Sequence, residues 1–269
     1  MQLQTNREAV DVKRLKETIQ FGVDHGAMYI GMGDMLDLES PSNRALLDAT
    51  KFYDSVRDAL DSKAEELEEE LQEILKPTVG QWLGLLEGHH YHVHQDGTTT
   101  DTRLAQFLKT SFLGTSAYIN LTFDAPARGH FKPQVNIWCH HGRAGGKLLS
   151  TPLNQLEHVI KGFDADLYLV GHHHKSAVAR HSRIYPVFGP KVGTLHHKDS
   201  YLVACGSYLK GYLDGHKRNG RASSLYAEAG MMNPLSLGGV KIWLRPKYES
   251  AAHFGGTSGH AAVDISVEV

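Results

Sequence analysis

Four times along this chain, a short apolar run ends in a glycine joined to acidic or histidine residues. These runs end at Gly33-Asp34, Gly88-His89-His90, His140-His141-Gly142 and Gly171-His172-His173-His174. Open α/β sheets place their ligand sites at the carboxyl ends of the strands. We therefore expect an α/β fold in which four strand ends bring these side chains to one site.

Patterns typical of helices lie between the predicted strands. Apolar residues recur at near-helical spacing from Val12 to Val23, and the composition predicts helices over residues 44–75, 101–113 and 152–161. Short apolar or alternating runs predict strands over residues 27–32, 82–86, 118–123, 134–139 and 167–170. The glycine-rich C-terminal third predicts shorter strands and loops. We expect one domain over residues 1–269.

Histidine is the unusual component of the composition. The chain has 18 histidines, and imidazole is the commonest metal ligand in proteins. Its formal net charge of −2 gives no overall attraction to nucleic acid. No apolar run is long enough to predict a membrane span, and the N-terminus lacks the pattern of a secretion signal. A cytoplasmic location is therefore expected, with Cys139 and Cys205 as buried thiols.

The residue types at the strand ends favour a metal site. A carboxylate combined with imidazoles suits divalent Zn²⁺, Mn²⁺ or Fe²⁺, and glycines let loops approach the ions closely. In an extended segment, alternate residues face the same side, so His172 and His174 can share one site while His173 faces away. His140 and His141 cannot both face inward. The neighbouring Gly142 favours His141, and His140 is the alternative.

The order of these motifs resembles that of the calcineurin-like metallophosphoesterase superfamily. That family carries aspartate-x-histidine, glycine-aspartate, glycine-asparagine-histidine, a histidine after a strand, and glycine-histidine-x-histidine. The resemblance spans about residues 10–180, and residues 97–101 and 206–211 are similar to stretches in phage and microbial members, which would put the protein in a host cytoplasm. The resemblance implies a four-layer sandwich of two mixed β-sheets flanked by helices.

The resemblance also implies two divalent metal ions and their ligands. Asp34 would bridge the two ions, His141 and His172 would bind the second ion, and His174 would bind the first. His89 stands where the family has asparagine, and we expect it to remain a ligand because an imidazole nitrogen can replace the amide oxygen.

One family motif does not occur in its expected place. No aspartate-x-histidine precedes the helix that begins at Val12. The simplest expectation is a truncation, or a late start codon, just downstream of a missing first strand. The first ion would then keep only Asp34 and His174, so this chain is expected to hold one ion better than the other.

The sequence thus predicts a hydrolase of phosphomonoesters or phosphodiesters that uses metal-bound hydroxide. His90 would protonate the leaving group. The substrate would be a phosphoester, with nucleotides and nucleic acids among the candidates. The alternative is a truncated, catalytically defective module that binds metal or interacts with nucleic acid. A structural zinc protein is disfavoured because the two cysteines do not form a zinc-binding spacing.

Some charged and imidazole groups outside these motifs receive simpler interpretations. The acidic run over residues 65–71 predicts a solvated helix face. His92 and His94 lie beyond the motif core, and we expect them to be surface or loop histidines rather than members of the active site.

Overall fold

The computed structural model of the protein describes residues 9–49, 53–124, 132–143, 146–189, 192–218, 220–248 and 261–269. Within them, the chain forms six α-helices and a five-stranded mixed sheet and no barrel, which confirms the predicted α/β class. The helices are α1 (Val12–Asp24), α2 (Pro41–Ala49), α3 (Asp54–Leu75), α4 (Thr100–Phe107), α5 (Thr151–Val159) and α6 (Tyr226–Ala229).

The largest sheet has the strand order β3-β4-β5-β7-β6. Its strands are β3 (Ser116–Thr122), β4 (Gln134–His140), β5 (Leu167–Val170), β6 (Ser176–Phe188) and β7 (Gly193–Cys205). The three central strands run parallel, so β4 and β5 both deliver their carboxyl ends to one edge. That edge carries the two C-terminal histidine motifs.

Three smaller strand pairs accompany this sheet. The first two predicted strands form β1 (Tyr29–Gly31) and β2 (Trp82–Leu85), which pair in parallel. The remaining pairs are antiparallel: β8 (Lys217–Arg218) with β9 (Arg221–Ala222), and β10 (Lys241–Tyr248) with β11 (Ala261–Glu268). The parallel register of β1 and β2 brings their two following loops together, and these loops carry the two N-terminal motifs.

Local sequence explains where the helices begin. The Asp11 side chain accepts a hydrogen bond from the Arg14 amide at the start of α1, and Thr99 and Thr102 form a capping box at the start of α4. The single helix predicted over residues 44–75 is wrong, because Tyr53 has extended backbone angles between α2 and α3. Tyr53 directly precedes α3, and aromatic residues have low helix propensity.

The C-terminal third contains longer strands than the sequence suggested. β6 and β7 each have 13 residues and pair along their whole length. Apolar and polar residues do not alternate along Ser176–Phe188: residues 177–179 are apolar, residues 180–183 are polar and residues 184–188 are mainly apolar. The period-two signal of a half-covered strand is therefore missing from this part of the sequence.

The buried apolar residues form three clusters that pack against the strands. One lies between α5 and the five-stranded sheet, with Trp138, Leu156 and Tyr168 among its members. A second lies on the opposite face of that sheet and includes residues of β1, β10 and β11. The third joins α1, α3 and α4 to β2. The strand ends that carry the motifs are thus anchored by packing on both sides.

Two interpretations of polar residues are corrected by burial. His92 and His94, expected to be surface or loop histidines, lie in a loop but are only 6% and 2% exposed, so the surface alternative is wrong. Glu68, in the acidic run expected to be solvated, is only 5% exposed because its position on α3 turns it inward toward His94. Among the described helices, none is long and apolar enough to cross a membrane.

Candidate metal centre

The four motifs meet where their strands end. Asp34 follows β1 and His89 follows β2, while His141 and His172 follow β4 and β5. The ligand nitrogens of His89, His141 and His172 lie within 4.8 Å of one another, and the Asp34 carboxylate contacts two of these three rings. The structure therefore contains a cluster that could bind a metal ion, built from four separate strand ends.

Asp34 is the buried carboxylate of this cluster. Its Oδ1 accepts hydrogen bonds from the backbone amides of His89, at 2.5 Å, and His90, at 3.0 Å. These bonds require close approach of the two loops, and a side chain on Gly88 would collide with the backbone of Asp34. Burial alone would raise the pKa of Asp34, but His141 and His172 beside it lower that pKa far below its usual range.

A backbone contact fixes the orientation of His141. Its Nδ1 lies 2.7 Å from the carbonyl oxygen of Met32 and can only donate there. In the neutral ring, Nε2 then carries a lone pair, and it is buried without a hydrogen bond, 3.2 Å from Asp34 Oδ2. Two electron-donating atoms facing each other in a buried site fit a shared cation.

His140 has a different environment from its neighbour. Its Nδ1 accepts a hydrogen bond from the Gly142 amide at 2.7 Å, and its ring stacks on Trp138. Of the two adjacent histidines, only His141 belongs to the cluster. The geometry therefore favours His141 as the ligand.

Distances between the donor atoms give a quantitative test of the fit. Ligands that bind one tetrahedral zinc at about 2.0–2.1 Å lie about 3.3 Å from one another. In the structure, Asp34 Oδ2 is 3.2 Å from His141 Nε2 and 3.6 Å from His172 Nδ1. His172 Nδ1 is 3.3 Å from His89 Nδ1. Three of the six distances among these donor atoms are therefore close to the spacing around one divalent ion, and the three histidine nitrogens all lie within 4.8 Å of one another.

Three of the predicted ligands hold strained backbone angles. Asp34, His172 and His174 have φ values of 49°, 60° and 53°, in the left-handed region that favours glycine. Each such residue costs of order 1–3 kcal/mol, and this strain persists where the surrounding structure requires it, often at functional sites. Strain at Asp34 and His172, and at His174 next to them, is consistent with a site that orients its side chains at a cost in folding stability.

His90 adjoins the cluster but pairs with a different carboxylate. Its Nδ1 lies 2.7 Å from Asp37 Oδ1, and this hydrogen bond raises the pKa of His90 against the opposing effect of burial. His90 therefore lies beside the cluster, paired with Asp37, and is not among the three clustered rings.

His173 and His174 diverge from His172. His173 Nε2 lies 3.0 Å from Gln155 Oε1, so this ring faces α5, away from the cluster, as expected. His174 Nδ1 lies 2.6 Å from the hydroxyl of Tyr226, and its ring is outside the compact group. His174 is thus the one predicted ligand that the structure does not bring into contact with the others.

A cavity of about 680 Å³ opens beside β1. Most of its wall is apolar and comes from α1, β1 and β10, including Phe21 and Ile242. Its polar end contains Asp34, His172 and His174. The cavity therefore connects the cluster to a largely apolar space along the edge of β1.

A second group of metal-type ligands was not predicted. Asp61, His92 and His94 have ligand atoms within 4.8 Å of one another, and both histidines are buried. The His-x-His spacing at 92–94 repeats that of 172–174, and this was the available signal. Its carboxylate partner comes from α3, which is distant in sequence, and so the sequence alone could not pair them.

Compared by sequence and by structure with known proteins, the chain matches no protein-family model, no curated protein and no solved structure.

Proposed function

We propose that this protein is a metal-dependent phosphoesterase that hydrolyses phosphomonoesters or phosphodiesters. The observation that carries the proposal is the convergence of the ligand nitrogens of His89, His141 and His172 within 4.8 Å of one another, with the Asp34 carboxylate in contact with two of these rings. The donors come from four strand ends, in the order that resembles calcineurin-like metallophosphoesterases. We propose Mn²⁺, Zn²⁺ or Fe²⁺ as the ion, because the donor set mixes imidazole with carboxylate.

When bound at such a site, divalent ions activate water as a nucleophile and offset the charge of the phosphate. The contribution of the protein is to orient the donors. Asp34 is held by the His89 and His90 amides, and His141 by the Met32 carbonyl. Because these partners belong to the backbone, the site is largely preorganised.

His90 is the proposed proton donor to the leaving oxygen. It lies next to His89 in the chain, and Asp37 holds its Nδ1 at 2.7 Å. This contact leaves Nε2 as the nitrogen available to substrate. An imidazolium in this position can protonate the alkoxide as the phosphorus–oxygen bond breaks, a role that typically contributes about 10²- to 10⁴-fold in rate.

The finer fold that we propose is the four-layer sandwich of two mixed sheets flanked by helices. The three apolar clusters support it, because each would separate two adjacent layers.

The position of His174 favours a second candidate function. His174 is hydrogen-bonded to Tyr226 and lies outside the compact group, so the described residues of this cluster bring together the ligands of one ion. A single ion neutralises less phosphate charge than two. The second candidate is therefore a module that binds one metal ion, and interacts with a phosphate-containing partner such as nucleic acid, without turnover.

A substrate panel separates the two functions. Nitrophenyl phosphate, bis-nitrophenyl phosphate and single-stranded DNA are incubated with the protein and Mn²⁺, with EDTA and with a His141→Ala variant as controls. If the protein is a phosphoesterase, we expect it to turn over substrate, and we expect both EDTA and His141→Ala to abolish that turnover. Metal binding without turnover of any substrate, or turnover that survives His141→Ala, would contradict the proposal.

A further inference from the structure

The group formed by Asp61, His92 and His94 lies away from the strand ends that form the first cluster. Asp61 belongs to α3, whereas the two histidines lie in the segment that follows Gly88-His89-His90. His92 Nε2 is 2.7 Å from Asp61 Oδ1, and His94 Nδ1 is 3.8 Å from the same oxygen. These two distances bracket the spacing of about 3.3 Å expected around a tetrahedral zinc ion.

The strongest observation is the buried nitrogen of His94. The side chain of His94 is 1% exposed, and its Nδ1 makes no hydrogen bond. A buried polar atom without a partner costs about 1–3 kcal/mol. Because Nδ1 faces Asp61 and His92, an ion bound between the three residues would remove that cost.

The outer nitrogens of both histidines contact carboxylates. His92 Nδ1 is 2.6 Å from Glu39 Oε1, and His94 Nε2 is 3.3 Å from Glu68 Oε1. The inner nitrogens face Asp61: His94 Nδ1 has no hydrogen bond, and an ion would take the place of the proton in the hydrogen bond between His92 Nε2 and Asp61 Oδ1. In metalloproteins, histidine ligands almost always donate their second ring nitrogen to a carboxylate, carbonyl or water in this way.

We propose that Asp61, His92 and His94 form a second divalent-metal site, which favours Zn²⁺ because two imidazoles and one carboxylate provide the donors. Three protein ligands leave a fourth position for water or an anion. That position faces a cleft of about 220 Å³ whose walls include Arg44 and Arg57.

This site would connect α3 to the segment that carries the first cluster. Arg44 donates hydrogen bonds to the carbonyl oxygens of His89 and Tyr91, so the segment is also held from α2. An ion bound by Asp61, His92 and His94 would hold the part of this segment that follows Tyr91 against α3. We therefore expect the ion to raise the unfolding temperature of the protein.

The test is a zinc titration of the full chain by calorimetry, with bound metal counted after gel filtration. Asp61→Asn removes a ligand charge with little change of shape. Asp58→Asn is the matched control, because Asp58 lies one turn away on α3 and also bonds the Gln95 side chain, but is outside the group. His94→Ala is the second test variant.

Asp61→Asn and His94→Ala are expected to lose about one zinc equivalent per chain, while Asp58→Asn keeps it. Glu39→Gln, which alters only the partner of His92, is expected to weaken this zinc by about 10- to 100-fold. At zinc concentrations about a hundred times the dissociation constant, Asp58→Asn should unfold about 5 °C above Asp61→Asn.

The first cluster is tested separately by His141→Ala, which should remove a different zinc equivalent. Zinc binding that is equal in Asp61→Asn, Asp58→Asn and the unmodified chain would overturn the second site, whatever happens at the first. Circular dichroism identifies any variant that has not folded. If His94→Ala does not fold, Asp61→Asn alone decides the result.

Discussion

The ring of His141 donates from Nδ1 to the carbonyl oxygen of Met32, 2.7 Å away, and thereby turns Nε2 toward the carboxylate of Asp34. Met32 lies directly after β1 and His141 directly after β4, so one hydrogen bond joins the two parts of the candidate metal centre. The orientation of the His141 ring is thus determined by a backbone carbonyl group. Substituting the Met32 side chain does not remove that carbonyl group.

Substituting His140 and His141 one at a time should show which of these adjacent histidines binds the metal. His141→Ala removes a donor at the centre of the cluster and should weaken metal binding by more than the roughly 10–100-fold loss typical of an outer-shell change. His140→Ala should leave binding unchanged, because its Nδ1 bonds the Gly142 amide. Calorimetric titration with Mn²⁺ measures both. The reverse ranking would mean that His140 is the ligand.

His90 should be separable from the metal ligands by function. In His90→Gln, metal content should remain as in the unmodified protein, whereas turnover of phosphodiester should fall by about 10²- to 10⁴-fold. The reason is that His90 pairs with Asp37 and lies outside the group of clustered rings. Metal analysis and steady-state kinetics are the measurements. Loss of metal in this variant would make His90 a ligand and exchange its role with that of His89.

Gly88 should be intolerant of substitution for steric reasons. An added Cβ would overlap the backbone and carboxylate of Asp34. Gly88→Ala should therefore separate the two loops, weaken metal binding and destabilise the fold by about 1–3 kcal/mol. Gly162→Ala is the control, since a Cβ there would meet only a carbonyl at 3.8 Å. Chemical denaturation compares the variants, and equal stability of both would show that the loops can move apart without cost.

The sequence predicted the parts of this site that depend on strand ends. β5 was placed correctly at residues 167–170, and β1, β2 and β4 differ from prediction only at their ends. A glycine followed by a polar motif is a local signal, and a shared sheet edge brings local signals together. The adjacent Gly142 favoured His141 over His140 but left His140 open, because the orientation of His141 depends on a hydrogen bond to Met32, in a distant part of the chain.

The second group lies outside the strand-end motifs. His92 and His94 were expected to be surface or loop histidines for that reason, and the loop that carries them is covered by α3. Asp61 and Glu68 are seven residues apart on that helix and therefore lie on the same face. A composition-based interpretation of the acidic run treats all its carboxylates alike, whereas tertiary packing buries Glu68 and leaves Glu66 exposed.

Asp101 should make stability depend on pH in a defined direction. Burial raises the pKa of this carboxyl to about 6, although its Oδ2 accepts a hydrogen bond from the Gly88 amide at 2.8 Å. A raised pKa means that the folded state binds the proton more tightly than the unfolded state. The stability that protonated Asp101 contributes to the folded state is therefore fully present below about pH 4 and is lost as the pH rises through 6.

Asp101→Asn should remove that dependence. Relative to the unmodified protein, the variant should gain up to about 3 kcal/mol between pH 4 and pH 7, because an amide has no charge to bury. Urea unfolding in EDTA at the two pH values measures the difference, and Asp24→Asn, an exposed carboxylate at the end of α1, is the control. A difference that does not change with pH would show that Asp101 has no raised pKa.

The number of ions at the first cluster should depend on His174. The nitrogens of His89, His141 and His172 lie together beside the Asp34 carboxylate, whereas His174 contacts Tyr226 through Nδ1 and has only Nε2 left to bind an ion. We therefore expect one tightly bound ion and a second, weaker one that needs His174.

This expectation is tested in the Asp61→Asn variant, in which the group of Asp61, His92 and His94 should no longer bind metal. Mn²⁺ titration should give two affinities, and adding His174→Ala should remove the weaker while the tighter changes by less than about tenfold. Tyr226→Phe should weaken only the second ion, by about 10- to 100-fold, because it removes the partner that orients the ring. If the weaker ion persists in His174→Ala, then another residue holds it, and the family position of His174 does not apply to this chain.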